Sequence, residues 1–322
     1  MDGVQQFMGP LMIAEQIRTP KRLQIETFFG CNAKCVMCFV GYPESNSDGV
    51  RKKGTMSMEM FKNIIDSMLP YKDHIEKVDL FGLGEPLLDR HLFKRIKYVK
   101  EKGFRNTAIS TNADLLNTEK QKLLLDSGID TVIFSIDGVK KETHENIRKG
   151  VHFERLVDNC QNMIAMRDQG NFKTRFVIRF IRQQSNLKEW EPFKQFWQAK
   201  ISSEKRDIMI VYDVNTMGGT FLSKEELISG GRVLPKIEEL PCHMVFDRLI
   251  ILNDGSVPLC CEDTPRAKYN FGNVNNQLPI EIFNSTKFNR IRELHQKGQK
   301  NKMPICKECV VLYSEKTAQF YE

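Results

Sequence analysis

The chain lacks the features of a membrane-spanning or secreted protein. Its 322 residues contain no run of eighteen apolar residues, so no membrane-spanning helix is expected. The first twenty residues include Asp2, Glu15 and Arg18 and do not follow the layout of a signal peptide. We therefore expect a cytoplasmic protein whose nine cysteines are reduced thiols or metal ligands, because that compartment keeps disulfides reduced.

The chain also lacks the pattern of a nucleic-acid-binding protein. Its net charge is +7, and its basic clusters at residues 51–53, 94–95 and 140–141 have no interleaved aromatic residues. Such clusters are usually solvated faces, so no nucleic-acid partner is expected. The positive surplus modestly favours a small-molecule substrate that is anionic, through electrostatic steering.

The pattern of the first two thirds of the chain predicts an α/β fold. Hydrophobic residues make up 41% of the sequence, enough for one large domain and a smaller one. Short β-rich segments alternate with segments whose apolar residues have helical spacing. The predicted strands are Arg22–Thr27, Lys77–Phe81, Arg105–Ser110, Thr131–Ile136, Lys173–Ile181 and Asp207–Tyr212. The predicted helices are Ser57–Leu69, Arg90–Lys102, Thr118–Ser127, Phe153–Asp168 and Leu187–Gln198. This alternation predicts a parallel sheet with right-handed crossovers, either open or curled into a partial barrel.

Polar and glycine residues mark the ends of these predicted helices. Ser57 and Thr118 are predicted N-caps, and Thr118 with Gln121 has the spacing of a capping box. Gly103 and Gly128 follow two of the helices and are predicted to end them.

Three cysteines follow the first predicted strand directly. Cys31, Cys35 and Cys38 are close enough to hold one iron-sulfur cluster from a single loop, which would leave one iron without a protein ligand. That iron could bind and reduce a small molecule. A structural zinc site would need a fourth ligand, and the nearest histidine, His74, lies in a helix-to-strand connection. A disulfide would leave one thiol unpaired.

Polar residues follow the other predicted strands at the edge where barrel-type sheets place their chemistry. They are Gly84 and Glu85 after the second strand, Thr111 and Asn112 after the third, and Ser135 and Asp137 at the end of the fourth. In the fifth strand, Arg175, Val177 and Arg179 share one face by the period of two. Turn formation and a structural salt bridge are the alternative interpretations of these residues.

A second set of cysteines lies near the C-terminus. Cys242, Cys260, Cys306 and Cys309 could bind zinc or a 4Fe-4S cluster, since ligand softness does not separate the two. Cys261 could replace Cys260, and Cys160 is predicted to be a buried apolar side chain. Between these cysteines, a hairpin is predicted from Asp247–Leu252 and Ser256–Leu259 around Gly255, and a helix from Leu278 to Lys297.

The C-x3-C-x2-C spacing at Cys31 resembles the signature of the radical S-adenosylmethionine (radical SAM) enzymes. The pattern C-x12-G-x4-C followed by C-x2-C, from Cys242 to Cys309, resembles the SPASM or twitch extensions of that family, which carry auxiliary 4Fe-4S clusters. It is similar to the spacing in 2-deoxy-scyllo-inosamine dehydrogenase and in SPASM proteins of polysaccharide-biosynthesis clusters. The resemblance implies an N-terminal extension at residues 1–20, a (β/α)6 partial TIM barrel at 21–234 and an auxiliary-cluster domain at 235–322.

The resemblance also implies cofactors and their contacts. In the family, SAM chelates the open iron, and an electron from the cluster splits SAM into methionine and a 5'-deoxyadenosyl radical. Gly84 and Glu85 correspond to the element that holds the SAM amino group. The SAM ribose and carboxylate are expected to contact Asn112, Ser135, Thr111, Asp137 and Arg179. A full SPASM domain has seven cysteines, so the four here imply one auxiliary cluster that relays electrons.

The resemblance favours a radical dehydrogenase of a small polyol, sugar or aminocyclitol. Asp213 is the candidate base, with Tyr212 beside it at the end of the sixth strand. A flavodoxin or ferredoxin is the expected reductant. Only thirty residues precede Cys31, so no peptide-recognition domain is expected there. The alternatives are a peptide (RiPP) maturase that forms a crosslink or an epimer and, more remotely, a zinc-ribbon interaction protein.

Overall fold

The computed structural model describes residues 17–41, 51–219, 225, 227, 240–312 and 318–322. Most of the predicted N-terminal extension, residues 1–20, therefore lies outside the described residues. The predicted boundary between residues 234 and 235 lies outside them as well.

The described residues form twelve strands and ten α-helices. The strands are β1 (Arg22–Ile25), β2 (Phe28–Phe29), β3 (Lys34–Cys35), β4 (Gly54–Thr55), β5 (Lys77–Asp79), β6 (Thr107–Thr111), β7 (Thr131–Ser135), β8 (Arg148–Lys149), β9 (Arg175–Arg182), β10 (Ile208–Asp213), β11 (Arg248–Ile251) and β12 (Gln319–Tyr321). The helices are α1 (Met58–Ser67), α2 (Leu92–Glu101), α3 (Thr118–Asp126), α4 (Lys141–Ile147), α5 (Phe153–Gln169), α6 (Trp190–Gln198), α7 (Met244–Asp247), α8 (Pro279–Phe283), α9 (Thr286–Gln296) and α10 (Pro304–Glu308).

One eight-stranded sheet organises these elements, in the order β11-β1-β5-β6-β7-β9-β10-β12. All neighbouring strands pair in parallel except β12, which pairs antiparallel with β10. The six strands predicted from the sequence, β1, β5, β6, β7, β9 and β10, are consecutive in this order. Their carboxyl ends therefore meet along one edge of the sheet.

Strand β9 shows how the sheet separates an apolar face from a polar one. Phe176, Ile178 and Phe180 are fully buried, whereas Arg175 and Arg179 lie on the opposite face and are only partly buried. Phe180 packs against Phe193 of α6, with ring centroids 4.8 Å apart. The apolar face therefore packs against the helices, and the other face points into the interior that the curved sheet surrounds.

Two predictions about the start of α3 are wrong. The N-cap of α3 is Asn117, whose side-chain oxygen accepts from the backbone N–H of Lys120 at 3.0 Å, and not Thr118. Gln121 closes no capping box, because its buried amide donates to the carbonyl oxygens of Leu116 and Asn159. The predicted caps Ser57, Gly103 and Gly128 are observed: Ser57 caps α1, and both glycines have left-handed φ angles.

Three other segments also differ from their predictions. The predicted helix Leu278–Lys297 is two helices, α8 and α9, because Ser285 caps a new helix start. Residues Gln184–Glu189 form a 3-10 helix, so α6 begins only at Trp190. Helix α4 was not predicted.

The predicted C-terminal hairpin is wrong in a way that matters for the site. Its first half, β11, pairs in parallel with β1 and so extends the main sheet, which buries Leu249 and Ile251 completely. The predicted turn is present, with Gly255 at φ +87°. After that turn the chain pairs with a different segment: Val257 exchanges backbone hydrogen bonds with Phe271 and Gly272.

Candidate active site and auxiliary metal centre

The loop that carries Cys31, Cys35 and Cys38 is held against the barrel by short strands. Strand β3, which ends at Cys35, pairs antiparallel with β8, so Cys35 lies opposite Arg148. The Arg148 guanidinium reaches the Cys35 sulfur at 3.8 Å, and the backbone N–H of Ala33 reaches the Cys31 sulfur at 3.3 Å. All nine cysteines lie among the described residues, and none forms a disulfide. These N–H donors fit a cluster of thiolate ligands, because hydrogen bonds to sulfur stabilise its negative charge.

Arg148 is a site residue that the sequence analysis missed. It is buried, and its guanidinium also pairs with the Asp137 carboxylate at 2.7 Å. The other Asp137 oxygen accepts from the backbone N–H of Ile181 at 2.7 Å. Asp137 is fully buried and is not among the residues that line the neighbouring cavity, so its arrangement gives no support to the predicted contact with SAM.

Gly84 and Glu85 lie beside the cysteine loop. Gly84 forms a parallel bridge with Gly30, one residue before Cys31, and the Glu85 N–H donates to the Gly30 carbonyl at 2.9 Å. Gly84 has φ +137°, and a Cβ at this position would lie 2.4 Å from the Gly30 carbonyl oxygen. Only glycine permits this close approach of the two loops.

The Glu85 carboxylate ties the ends of two strands together. It is buried and accepts from the Thr111 hydroxyl at 2.7 Å, from the Asn112 N–H at 2.8 Å and from the Leu87 N–H at 3.0 Å. Burial raises the pKa of this carboxyl to about 7, although these hydrogen bonds oppose the shift. Asn112 in turn donates its amide to Asn32 at 2.9 Å and to the Cys31 sulfur at 3.9 Å.

The three cysteines open onto a cavity of about 330 Å³, which we call the cysteine cavity. Of the residues predicted to contact SAM, six line it: Gly84, Glu85, Thr111, Asn112, Ser135 and Arg179. Arg179 donates to the hydroxyls of Ser110 and Ser135 at 2.9 and 2.5 Å. Ser110, which ends the same predicted strand as Thr111, is therefore a further polar lining residue.

A second cavity of about 570 Å³, the barrel lumen, adjoins the first. The two share Arg179, Arg248, Cys261 and Glu262 among their lining residues. The predicted catalytic residues Tyr212 and Asp213 line the lumen, and Asp213 is paired with Arg182 at 2.8 Å. Arg248 reaches the lumen because β11 joins the main sheet, which the predicted hairpin did not allow.

The C-terminal cysteines surround a third, much smaller space of about 30 Å³, the auxiliary cavity. Its lining includes Cys242, Cys260, Cys306 and Cys309, together with His295 and Glu262. Cys261 instead lines the cysteine cavity and the lumen. Of these two neighbours, Cys260 therefore shares a cavity with the other three cysteines of the C-terminal set, and Cys261 does not.

His295 is another residue that the sequence analysis missed. Its Nδ1 accepts from the Cys242 N–H at 3.1 Å, so the ring proton lies on Nε2. Nε2 is 3.6 Å from the Cys306 sulfur. The imidazole thus donates an N–H···S hydrogen bond to one cysteine and accepts from the backbone of another. An N–H donor of this kind stabilises the negative charge on a cysteine sulfur that ligates a cluster.

Cys160 lies away from both groups. It is fully buried in α5 within the apolar core, as predicted. Asn186, a polar residue near the end of β9, donates its amide to the carbonyl oxygens of Asp137 and Ile181 and so closes a backbone turn.

Two family models match the chain. The model of the radical SAM superfamily matches residues 25–175, and that of SPASM, an iron-sulfur cluster-binding domain, matches residues 242–310. A tungsten-containing aldehyde ferredoxin oxidoreductase cofactor-modifying protein of Pyrococcus furiosus is 28% identical over 174 residues, which are 52% of this chain and 46% of that protein. The chain thus spans about half the length of this curated relative.

Solved structures of low sequence identity share the fold. A crystal structure of BtrN in complex with AdoMet and 2-DOIA has 18% identity and a TM-score of 0.59, over 91% of this chain and 94% of that one. A crystal structure of Streptococcus suis SuiB bound to precursor peptide SuiA has 15% identity and a TM-score of 0.61, over 85% and 66%. The predicted partial barrel with a small C-terminal iron-sulfur extension is confirmed.

The part of the chain that the structure describes includes no helix with the length and apolar character needed to span a membrane. The two family matches agree with the positions of the cysteines. The first match contains the cysteine loop, and the second contains the C-terminal set. The chain contains a radical SAM domain at residues 25–175 and a SPASM iron-sulfur cluster-binding domain at residues 242–310.

Proposed function

We propose that this radical SAM enzyme oxidises a small polyol, sugar or aminocyclitol. The observation that carries the proposal is the position of the second set of cysteines beside the lumen. Cys260 lines the auxiliary cavity, its neighbour Cys261 lines the lumen, and Glu262 lines both. A centre that accepts electrons at Cys260 would therefore lie against the space where a substrate binds.

The lining of the two cavities supports the proposed ligands. Cys31, Cys35 and Cys38 would hold the cluster that binds SAM, and Cys242, Cys260, Cys306 and Cys309 the auxiliary 4Fe-4S cluster. When bound, the first cluster supplies the electron that cleaves SAM to the 5'-deoxyadenosyl radical, which abstracts a substrate hydrogen atom. The chain itself would hold SAM with Gly84, Glu85, Thr111, Asn112, Ser135 and Arg179, all of which line the cysteine cavity.

The lumen supplies the remaining steps of a dehydrogenation. After a carbinol carbon loses a hydrogen atom, formation of a ketone requires loss of the hydroxyl proton and of one electron. Asp213 is the proposed proton acceptor, and its ion pair with Arg182 fixes the orientation of the carboxylate. Tyr212 lines the same wall, and the auxiliary cluster is the proposed electron acceptor.

A volume of about 570 Å³ suits a small molecule. We propose a cytoplasmic enzyme with flavodoxin or ferredoxin as reductant, because iron-sulfur chemistry with free thiols needs a reducing compartment.

Anaerobic incubation of the reconstituted enzyme with SAM, reductant and a panel of polyols, sugars and aminocyclitols tests the proposal. It predicts 5'-deoxyadenosine and ketone in equal amounts for at least one member of the panel. The variant Asp213→Asn should lose ketone formation but retain SAM cleavage. An epimer as product, or SAM cleavage without any ketone across the panel, would contradict the proposed reaction.

The second candidate is a peptide maturase that forms a crosslink or an epimer. It is supported by the fold shared with SuiB, whose structure contains a precursor peptide. A short precursor peptide encoded beside the gene, and modified by the enzyme in vitro, would favour this candidate over the first.

A further inference from the structure

The lumen is lined by more cationic than anionic side chains. Two carboxylates, Asp213 and Glu262, are among its lining residues. The cationic side chains are five in number: Arg22, Lys77, Arg175, Arg179 and Arg248. A cavity with this composition has a positive potential unless neighbouring carboxylates neutralise it.

The ion pairs of the described residues neutralise only part of this charge. The buried Asp79 serves two of the cations, Arg22 at 2.5 Å and Lys77 at 3.3 Å. Asp213 is paired with Arg182, which is not one of the lining residues. The charge of Asp79 is therefore shared between two cations, and the charge of Asp213 is already balanced by Arg182.

Three of the arginines have no carboxylate partner among the described residues. Arg179 donates to two serine hydroxyls, Arg175 to the carbonyl oxygen of Arg206, and Arg248 to the amide oxygen of Gln24 at 3.5 Å. The Nε atoms of Arg179 and Arg248 are buried and lack any hydrogen-bond partner in the described part of the chain. Buried polar atoms normally have a hydrogen-bond partner, so these two Nε atoms are unusual.

The pKa shifts agree with a crowded positive charge. Burial lowers the pKa of Arg179, and the neighbouring Arg148 lowers it further, against the charges of Asp137 and Tyr212. Burial also lowers the pKa of Lys77, and the charges of Arg22 and Arg248 act in the same direction, against Asp79. A bound anion would offset this repulsion.

The unpaired arginines are placed along the lumen rather than at one point. Arg179 and Arg248 line both the lumen and the cysteine cavity, so they lie where a substrate would meet SAM. Arg175 is four residues before Arg179 on the same strand face, roughly 13 Å deeper. A ligand that enters beside SAM can therefore contact several guanidinium groups.

We propose that the substrate of this enzyme carries a phosphate or diphosphate group that binds in the lumen to Arg248 and Arg175, the two of these arginines that are not proposed to hold SAM. This inference rests on the proposed function, since it names the substrate class of the same site. A phosphate group matches these two arginines, which have no carboxylate partner among the described residues, better than a carboxylate does. It carries more negative charge, and its oxygens accept the paired hydrogen bonds that a guanidinium donates.

Thermal unfolding of the anaerobically reconstituted enzyme with SAM bound tests the inference, with inorganic phosphate as the probe at constant ionic strength. A ligand that binds the native state raises the melting temperature in a saturable way. We expect such a rise for the wild type. In Arg248→Gln the phosphate concentration needed for half of the effect should increase by about tenfold or more, because a charge-assisted contact is lost. Acetate should give no comparable rise.

Arg290→Gln is the matched control, because Arg290 is an exposed arginine of α9 that lines neither the lumen nor the cysteine cavity. It should respond to phosphate as the wild type does. If Arg248→Gln fails to incorporate its iron, Arg175→Gln serves as the second variant, with the same expected direction. Three results would overturn the inference. They are the absence of a saturable phosphate effect in the wild type, an unchanged response in Arg248→Gln or Arg175→Gln, and an equal effect of acetate.

These outcomes separate the inference from the proposed function. Oxidation of a neutral polyol without phosphate binding would remove the inference and leave the dehydrogenase proposal intact. Phosphate binding by an enzyme that forms no ketone would remove the dehydrogenase proposal and leave the phosphate site intact.

Discussion

The two sets of cysteines differ in the number of their members and in the size of the cavity beside them. The N-terminal set has three members and faces a cavity of about 330 Å³, whereas the C-terminal set has four and surrounds a space of about 30 Å³. A cluster held by three thiolates beside a large cavity has an iron open to a ligand, and a cluster held by four has none. On the proposed ligand assignment, the number of cysteines and the space beside them, rather than cysteine chemistry alone, separate a reactive centre from an electron relay.

The supporting residues differ between the two regions as well. Around the N-terminal set, Glu85, Asn112 and Arg148 link the cysteine loop to strand ends of the barrel. Around the C-terminal set, His295 contacts Cys242 and Cys306 directly. Each region can therefore be perturbed without touching the other.

The largest expected effect is that of Cys31→Ala. The variant should lose SAM cleavage entirely and retain about four of about eight iron atoms per chain, because only the first cluster is removed. The measurements are anaerobic iron and sulfide analysis and chromatography of 5'-deoxyadenosine. The control Cys160→Ala changes a cysteine buried in the core, remote from both sets, and should keep both clusters. Retained SAM cleavage in Cys31→Ala would contradict the assignment of SAM cleavage to the N-terminal set.

Two substitutions at neighbouring positions, Cys260→Ser and Cys261→Ser, test the C-terminal set of cysteines in the same way. Cys260 lines the auxiliary cavity and Cys261 does not, so only Cys260→Ser should lose about four iron atoms. That variant should still cleave SAM with a chemical reductant but form little ketone. The reverse pattern of iron loss would show that Cys261 is the ligand.

A smaller effect is expected for Glu85→Gln, whose free energy of unfolding should depend less on pH than that of the wild type. Because burial raises the Glu85 pKa to about 7, the native state binds a proton that the unfolded state releases near its ordinary value of 4.5. The contribution of this group is thus fully present below pH 4.5 and is lost as pH rises through 7, by up to about 3 kcal/mol.

Melting temperatures of wild type and Glu85→Gln between pH 5 and 8 measure this difference. The wild-type value should fall more steeply as pH rises, because glutamine does not titrate. Parallel curves for the two proteins would show that the carboxyl has an ordinary pKa.

The smallest expected effect is that of His295→Leu. Leucine removes the N–H that points at the Cys306 sulfur, and loss of a hydrogen bond to a ligand sulfur lowers the reduction potential of a cluster. Anaerobic redox titration followed by electron paramagnetic resonance should show a lower potential for the auxiliary cluster only. The control His74→Leu changes an exposed histidine and should leave both potentials unchanged. A shift in the SAM-binding cluster alone would contradict this assignment.

The sequence predicted the parts of the site that depend on local spacing. The positions of Cys31, Cys35 and Cys38 after a strand, and of Gly84, Thr111 and Ser135 at strand ends, follow from the alternation of strands and helices. Parallel strands bring their carboxyl ends to one edge, so residues far apart in the chain could be assigned to one cavity.

What the sequence did not predict depends on contacts between distant segments. Arg148 reaches Cys35 because β8 pairs with β3, two short strands without a pattern of their own. Arg248 reaches the lumen because β11 pairs with β1 across more than 200 residues of chain. Cys260 and Cys261 have the same chemistry and adjacent positions, so only the backbone decides which one faces the auxiliary cavity.

The most direct test of the difference between the two centres is the electron paramagnetic resonance spectrum of reduced Cys260→Ser with and without SAM. This variant should contain the three-cysteine cluster alone, and addition of SAM should change its signal, because SAM occupies the open iron. A spectrum that SAM leaves unchanged would contradict the account, since the three-cysteine cluster would then have no site for its substrate.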